Sequence, residues 1–166
     1  MSLESTSVRL WKRLSPADRL AAASSLWAQP QTEVLGAALG VIVQARHLRP
    51  QAARALKPEE QARILASVLD PGEAVSSALL VALHLAARRP LLVAFLDAVG
   101  LPHEDGLLKE EADALPPLDE ARVREGVVAL KATFPLDQVL TYVNVLWLQD
   151  PERWQALEKS PDWLAS

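Results

Sequence analysis

Residues 34–43 read Val34-Leu35-Gly36-Ala37-Ala38-Leu39-Gly40-Val41-Ile42-Val43, ten apolar residues without a charge. A membrane span needs about 20 such residues, so the run is half the necessary length. Val41-Ile42-Val43 would suit a strand, but it sits inside a longer helical pattern. A helix that is apolar on nearly every side is one that other helices surround. The segment is therefore expected at the centre of a helix-on-helix core.

Working outward, prolines bracket this run and recur along the whole chain, twelve in 166 residues. Proline fits the first turn of a helix and not its interior, so the prolines mark boundaries. Ser15-Pro16 supplies a cap and a pre-set first residue, with Asp18 in the first turn and Leu20, Ala23 and Trp27 on one face before Pro30. Asp150-Pro151 and Ser160-Pro161 repeat the start signal, and Pro50, Pro58, Asp70-Pro71-Gly72, Pro90, Pro102, Pro116-Pro117 and Pro135 bound further segments. Eight to ten helices follow from this punctuation. No Asn-Gly or Asp-Gly turn joins two alternating segments, so strands are not expected. Leu136, Val139, Leu140, Val143, Leu146 and Trp147 form one face, which predicts a helix that walls the core from one side.

The expected fold is thus all-α, a single helical domain over residues 1–166. Pro16 and Pro58 stand 42 residues apart, and at that offset Gly36 and Gly40 fall on Ala78 and Ala82. Small residues one turn apart let helix axes approach closely. The match predicts helix pairs stacked alike, an arrangement that resembles a short α-solenoid of the HEAT kind. An irregular helical bundle explains the same features.

Composition narrows the function classes. Half the residues are apolar and about a quarter charged, as in compact globular domains. A chain of this length buries enough surface to fold without disulfide or metal. Cysteine is absent, which excludes disulfide scaffolds, thiolate metal sites and a cysteine nucleophile. No signal peptide is visible in the first residues, and the reading is a cytoplasmic protein. Arginine outnumbers lysine twelve to five, a composition compatible with a bacterial source. Net charge is −4, divided unevenly: residues 1–83 hold nine basic against seven acidic residues, and residues 84–166 eight against fourteen. Arg46, His47, Arg49, Arg54, Lys57 and Arg63 form a basic stripe diluted by Glu59 and Glu60, too weak to argue for nucleic acid.

The sharpest polar cluster is His103-Glu104-Asp105, followed by Glu110, Glu111 and Asp113. Imidazole and carboxylates can hold a divalent ion or work as base and orienter. Adjacent residues rarely converge on one ion, and no spacing here puts ligands on one helical face. Acidic residues also favour a first helical turn, and Leu107 to Leu115 reads as such a helix. His84 shares a side with Ser77 and Arg88, opposite Leu79, Leu83 and Ala86, which predicts an edge position. His47 reads as a helix-end residue. Trp154, Leu157, Trp163 and Leu164 near the end of the chain are the candidate interface, or else the cap of a helix stack. No nucleophile elbow and no phosphate loop is present among the six glycines.

These observations favour a non-enzymatic helical protein–protein interaction or scaffold module, acting on a protein partner or on itself as a homodimer, with no cofactor, nucleic acid or membrane implied. The competing reading is a small-molecule or metal-binding helical domain, such as a hydrolase, that uses His103, Glu104, Asp105, Glu110 and Glu111.

Overall fold

A computed structural model of the chain describes residues 4–28, 32–108 and 118–159. It is mostly helical, with nine α-helices among the described residues. The contacts gather into two compact units divided between Ala87 and Arg88. No single helix among the described residues is long and apolar enough to cross a membrane.

The first unit holds α1 (Thr6–Arg13), α2 (Pro16–Trp27), α3 (Thr32–Arg46), α4 (Pro50–Ala55), α5 (Pro58–Ser67) and α6 (Glu73–Ala87). Proline stands in the first turn of α2, α4 and α5 as expected. The Ser15 hydroxyl accepts the Asp18 amide at 3.1 Å, which is the capping bond foreseen for α2. The helix α6 is the hub, with α1, α2 and α3 packed against it. Trp11 on α1 is fully buried and its indole N–H donates to the Val68 carbonyl at 2.9 Å, so the ring fills the core without stranding a donor. Ser7 on α1 and Ser76 on α6, both fully buried, share a hydrogen bond of 2.8 Å that fixes those two helices.

The all-round apolar helix is not the central one. In α3 the buried residues are Ala38 and Ile42; Ile42 joins Ala53 and Ile64 in a cluster flanked by Trp27, Leu39, Val43, Leu48 and Leu56. Gly36, Ala37 and Gly40 on the other side are exposed. The helices α4, α5 and α6 cover one arc of α3 and leave the opposite arc open. His84 is buried and not at an edge: its helix is packed by α1, α2 and α3, so the buried arc is wider than one stripe. Its Nδ1 lies 2.7 Å from the Leu80 carbonyl.

At the 42-residue offset α2 and α5 both begin at a proline, and α3 and α6 are both fifteen residues long. The small residues are used differently, however. Ala82 is buried, whereas a Cβ added at Gly36 or Gly40 would meet nothing within 4 Å.

The second unit holds α7 (Arg89–Val99), a two-stranded antiparallel hairpin of β1 (His103–Glu104) and β2 (Leu107–Leu108), α8 (Glu120–Thr133), α9 (Leu136–Gln149) and a 3-10 helix, Gln155–Lys159. Phe95 on α7 is its anchor, fully buried, with Tyr142 edge-on and Trp154 tilted against it, each at 5.5 Å between ring centres. Gly126 lets α8 come close to α7, because a Cβ there would stand 3.2 Å from Val99. The expected wall helix, α9, is buried at six successive positions from Thr141 to Leu146. The Asp150-Pro151 start signal yields a turn and the 3-10 helix, with the Asp150 carboxylate accepting the Arg153 amide at 3.1 Å. The Ser160-Pro161 signal lies outside the described residues.

Candidate functional site

The hairpin contains the polar cluster that the sequence singles out. The helix expected from Leu107 begins instead as strand β2, paired Glu104 to Leu107 and His103 to Leu108, while residues 109–117 lie outside the described residues. The turn between the strands is Asp105-Gly106, with φ of 51° and 88°. Two central residues with positive φ are the mark of a type I′ hairpin turn, for which Asp-Gly is a preferred pair. That dipeptide is a local signal, missed because its strands are two residues long and do not alternate.

The hairpin is fastened to α7. His103 Nε2 lies 2.6 Å from Asp97 Oδ1 at the helix's last turn, and the Gly106 amide donates to His103 Nδ1 at 3.2 Å. A backbone amide can only donate, so Nδ1 is the bare nitrogen and Nε2 carries the proton given to Asp97. At the other end of α7, Arg89 donates to the Asp105 carbonyl at 2.8 Å and to its carboxylate at 3.3 Å. Between these ties Gly106 lies against Leu92, where a Cβ would come within 3.0 Å of the Leu92 Cβ. Asp97 and Arg89 are the partners that sequence reasoning did not assign, because they lie six and sixteen residues from the groups they bind.

This geometry can position a loop, and it leaves little for chemistry. The Asp97–His103 pair has the look of a base and its orienter, but the nitrogen that would take a proton already receives the Gly106 amide. Glu104 and Asp105 are exposed. Among the described residues no group of three histidine, aspartate or glutamate side chains comes together around a point that could hold a metal ion. Glu110 and Glu111 lie outside the described residues.

The aromatic candidates divide in the same way. Trp154 and Leu157 are buried, at 3% and 1% exposure, with Trp154 against Phe95. Trp163 and Leu164 lie outside the described residues. Burial pushes the Tyr142 phenol far above its ordinary pKa, since the phenolate would lose its hydration there.

What the fold leaves open is the outer arc of α3. Glu33, Gly36, Ala37, Gly40 and Gln44 are all exposed and recur at the spacing of one helical face, hence on one stripe. His47 ends the helix with φ of 53°, and the Leu48 amide bonds the Val43 carbonyl at 3.1 Å, the six-to-one bond of a Schellman cap. Its role at the helix end is thus played by the backbone. The sequence signal for this surface lies in the ten apolar residues; it points to a covered helix, and only one side is covered.

Comparison of the chain with protein-family models, curated proteins and solved structures finds no match in any of the three.

Proposed function

We propose that the protein is a non-enzymatic helical interaction module, and that its working surface is the open face of α3. The observation that carries this reading is the mismatch in that helix. Residues 34–43 are apolar throughout, yet Ala38 and Ile42 are the positions buried among them. The open arc is built of Gly36, Ala37 and Gly40, small residues that allow another helix to approach closely. The polar cluster supports the same reading from the other side, because His103 and Asp105 are occupied in holding the hairpin to α7. Two helix pairs that repeat at 42 residues are compatible with a short solenoid of stacked pairs, and such arrays present helix faces to protein partners. A cytoplasmic setting belongs to the proposal.

The test is thermal unfolding of the full chain against divalent metals, nucleotides, cofactors and common metabolites. A ligand at a hundredfold over its dissociation constant stabilises by about 2.7 kcal/mol, or about 5–10 °C for a chain of this size. A flat panel is expected. A shift of that size from one compound replaces the module with a small-molecule or metal-binding protein.

A further inference from the structure

We infer that the β1–β2 hairpin carries a proton-operated latch, independent of any role of α3: neutral His103 holds the Gly106 amide, and a proton taken up at Nδ1 releases that amide while the ring stays on Asp97. The two partners of the ring make different demands on it. The Gly106 amide donates to Nδ1 at 3.2 Å, and Asp97 Oδ1 lies 2.6 Å from Nε2. A neutral ring with its proton on Nε2 satisfies both, because the bare Nδ1 accepts and Nε2–H donates. The imidazolium carries a proton on each nitrogen. Its Nδ1–H then faces the Gly106 N–H, two donors with no acceptor between them, and that bond is lost. The bond to Asp97 becomes charge-assisted and so about twice as strong. Protonation therefore exchanges one tie for a firmer one, and histidine is the side chain whose charge changes between about pH 5 and 8.

The surroundings let this exchange act on the turn. The His103 side chain is 12% exposed and that of Asp97 67%, so a proton reaches the ring without unfolding. The charged groups about it are Asp97 and Arg89 on α7, Glu104 and Asp105 on the hairpin, and Arg122 of α8, whose guanidinium lies against Gly100. The strands pair only at His103 with Leu108 and Glu104 with Leu107, so the ladder itself is short. Gly106 stands outside those pairs, and its amide bond to His103 ties the turn back to the first strand. Both turn residues have positive φ, 51° at Asp105 and 88° at Gly106, and Gly106 is pressed on Leu92, where a Cβ would come within 3.0 Å of the Leu92 Cβ. A turn in that conformation persists only while its contacts determine it. Once Gly106 is released, Arg89 still holds the Asp105 carbonyl at 2.8 Å, so the opening is confined to the turn.

Nuclear magnetic resonance of the full chain labelled with nitrogen-15, titrated from about pH 8 to about pH 5, reads the ring and the turn together. At the upper end His103 should carry its proton on Nε2. Hydrogen-exchange protection of the Gly106 amide, normalised to the free-peptide rate at each pH, should fall by roughly five- to tenfold across the titration, the share of one hydrogen bond. His103→Asn has no group that titrates in this range, and its Gly106 protection should be the same at both ends. A ring protonated on Nδ1 at the upper pH overturns the latch, as does a Gly106 amide equally protected at both ends. Both are read on the unaltered chain, whether or not the variant folds. A His103→Asn chain whose Gly106 opens over the same range also overturns it, since another group would then control the turn.

Discussion

The helices α3 and α9 exchange the places that their sequences suggest. The first is apolar on all sides and lies at the margin of its unit, with Gly36, Ala37 and Gly40 in solvent. The second shows an apolar face from Leu136 to Trp147, with Asp137, Gln138, Thr141 and Asn144 among the residues off it, yet it is buried at every position from Thr141 through Leu146. The polar residues explain how this is tolerated. Thr141 donates its hydroxyl to the Asp137 carbonyl at 2.8 Å, and Asn144 donates its amide to the Leu140 carbonyl at 2.8 Å, so their donors are satisfied by the helix's own turns. A polar residue that can bond its own backbone is a weak marker of the water side. A glycine or alanine is equally weak as a marker of the core, because it gains little from burial and loses little from exposure.

The same charge placed in both helices tests this contrast most severely. Val143→Asp puts an unpaired carboxylate in a buried position of α9 and should cost more than about 4 kcal/mol, enough to unfold its unit. Ala37→Asp on the open side of α3 should change stability by less than about 0.5 kcal/mol. Urea denaturation of both variants decides it, and equal losses would mean that α3 is covered after all.

A smaller contrast separates α3 from α6, its counterpart at the 42-residue offset. Ala82→Leu adds the bulk of an isopropyl group where α6 is packed and should destabilise by about 1–3 kcal/mol. Gly40→Leu at the matching position of α3 should stabilise the chain by up to about 1 kcal/mol, because glycine is a poor helix former and the space is open. Opposite signs in thermal midpoints are the expected result. Matching signs would show that the two helices sit in equivalent surroundings.

The gentlest probe uses the chain's single tyrosine. The buried Tyr142 phenol keeps its proton to a higher pH than the unfolded chain does, so the unfolded state binds fewer protons once the pH passes the ordinary tyrosine value of about 10. Stability should therefore fall above that pH by up to ~1.4 kcal/mol per pH unit, and Tyr142→Phe should remove that part of the slope. Denaturant midpoints on either side of pH ~10 measure it. An unchanged slope in the variant would place the phenol in water, and with it the middle of α9.

Much of the helix punctuation was legible in the residues. Ser15 with Pro16, Pro50 and Pro58 start helices because a fixed φ and a capping oxygen act within one turn and need nothing from the rest of the chain. The hairpin was legible in part: Asp105-Gly106 is written in two residues, but the strands it joins are too short to show a period. The site was least legible. His103 and Asp105 were visible as a cluster, whereas their engagement by Asp97 and Arg89 depends on how the hairpin lies on α7.

Residue order alone is enough to say that the chain is built of short helices, where most of them begin, and that disulfides and thiolate sites have no part in it. These properties follow from backbone sterics, capping and composition, which act within a turn or over the chain as a whole. Which helix is surrounded and which is left open depends on the assembled fold. Burial belongs to the set of neighbours a helix acquires: α3 and α6 each meet three helices, yet those around α3 leave Gly36, Ala37 and Gly40 exposed, while those around α6 bury even Ser76 and His84.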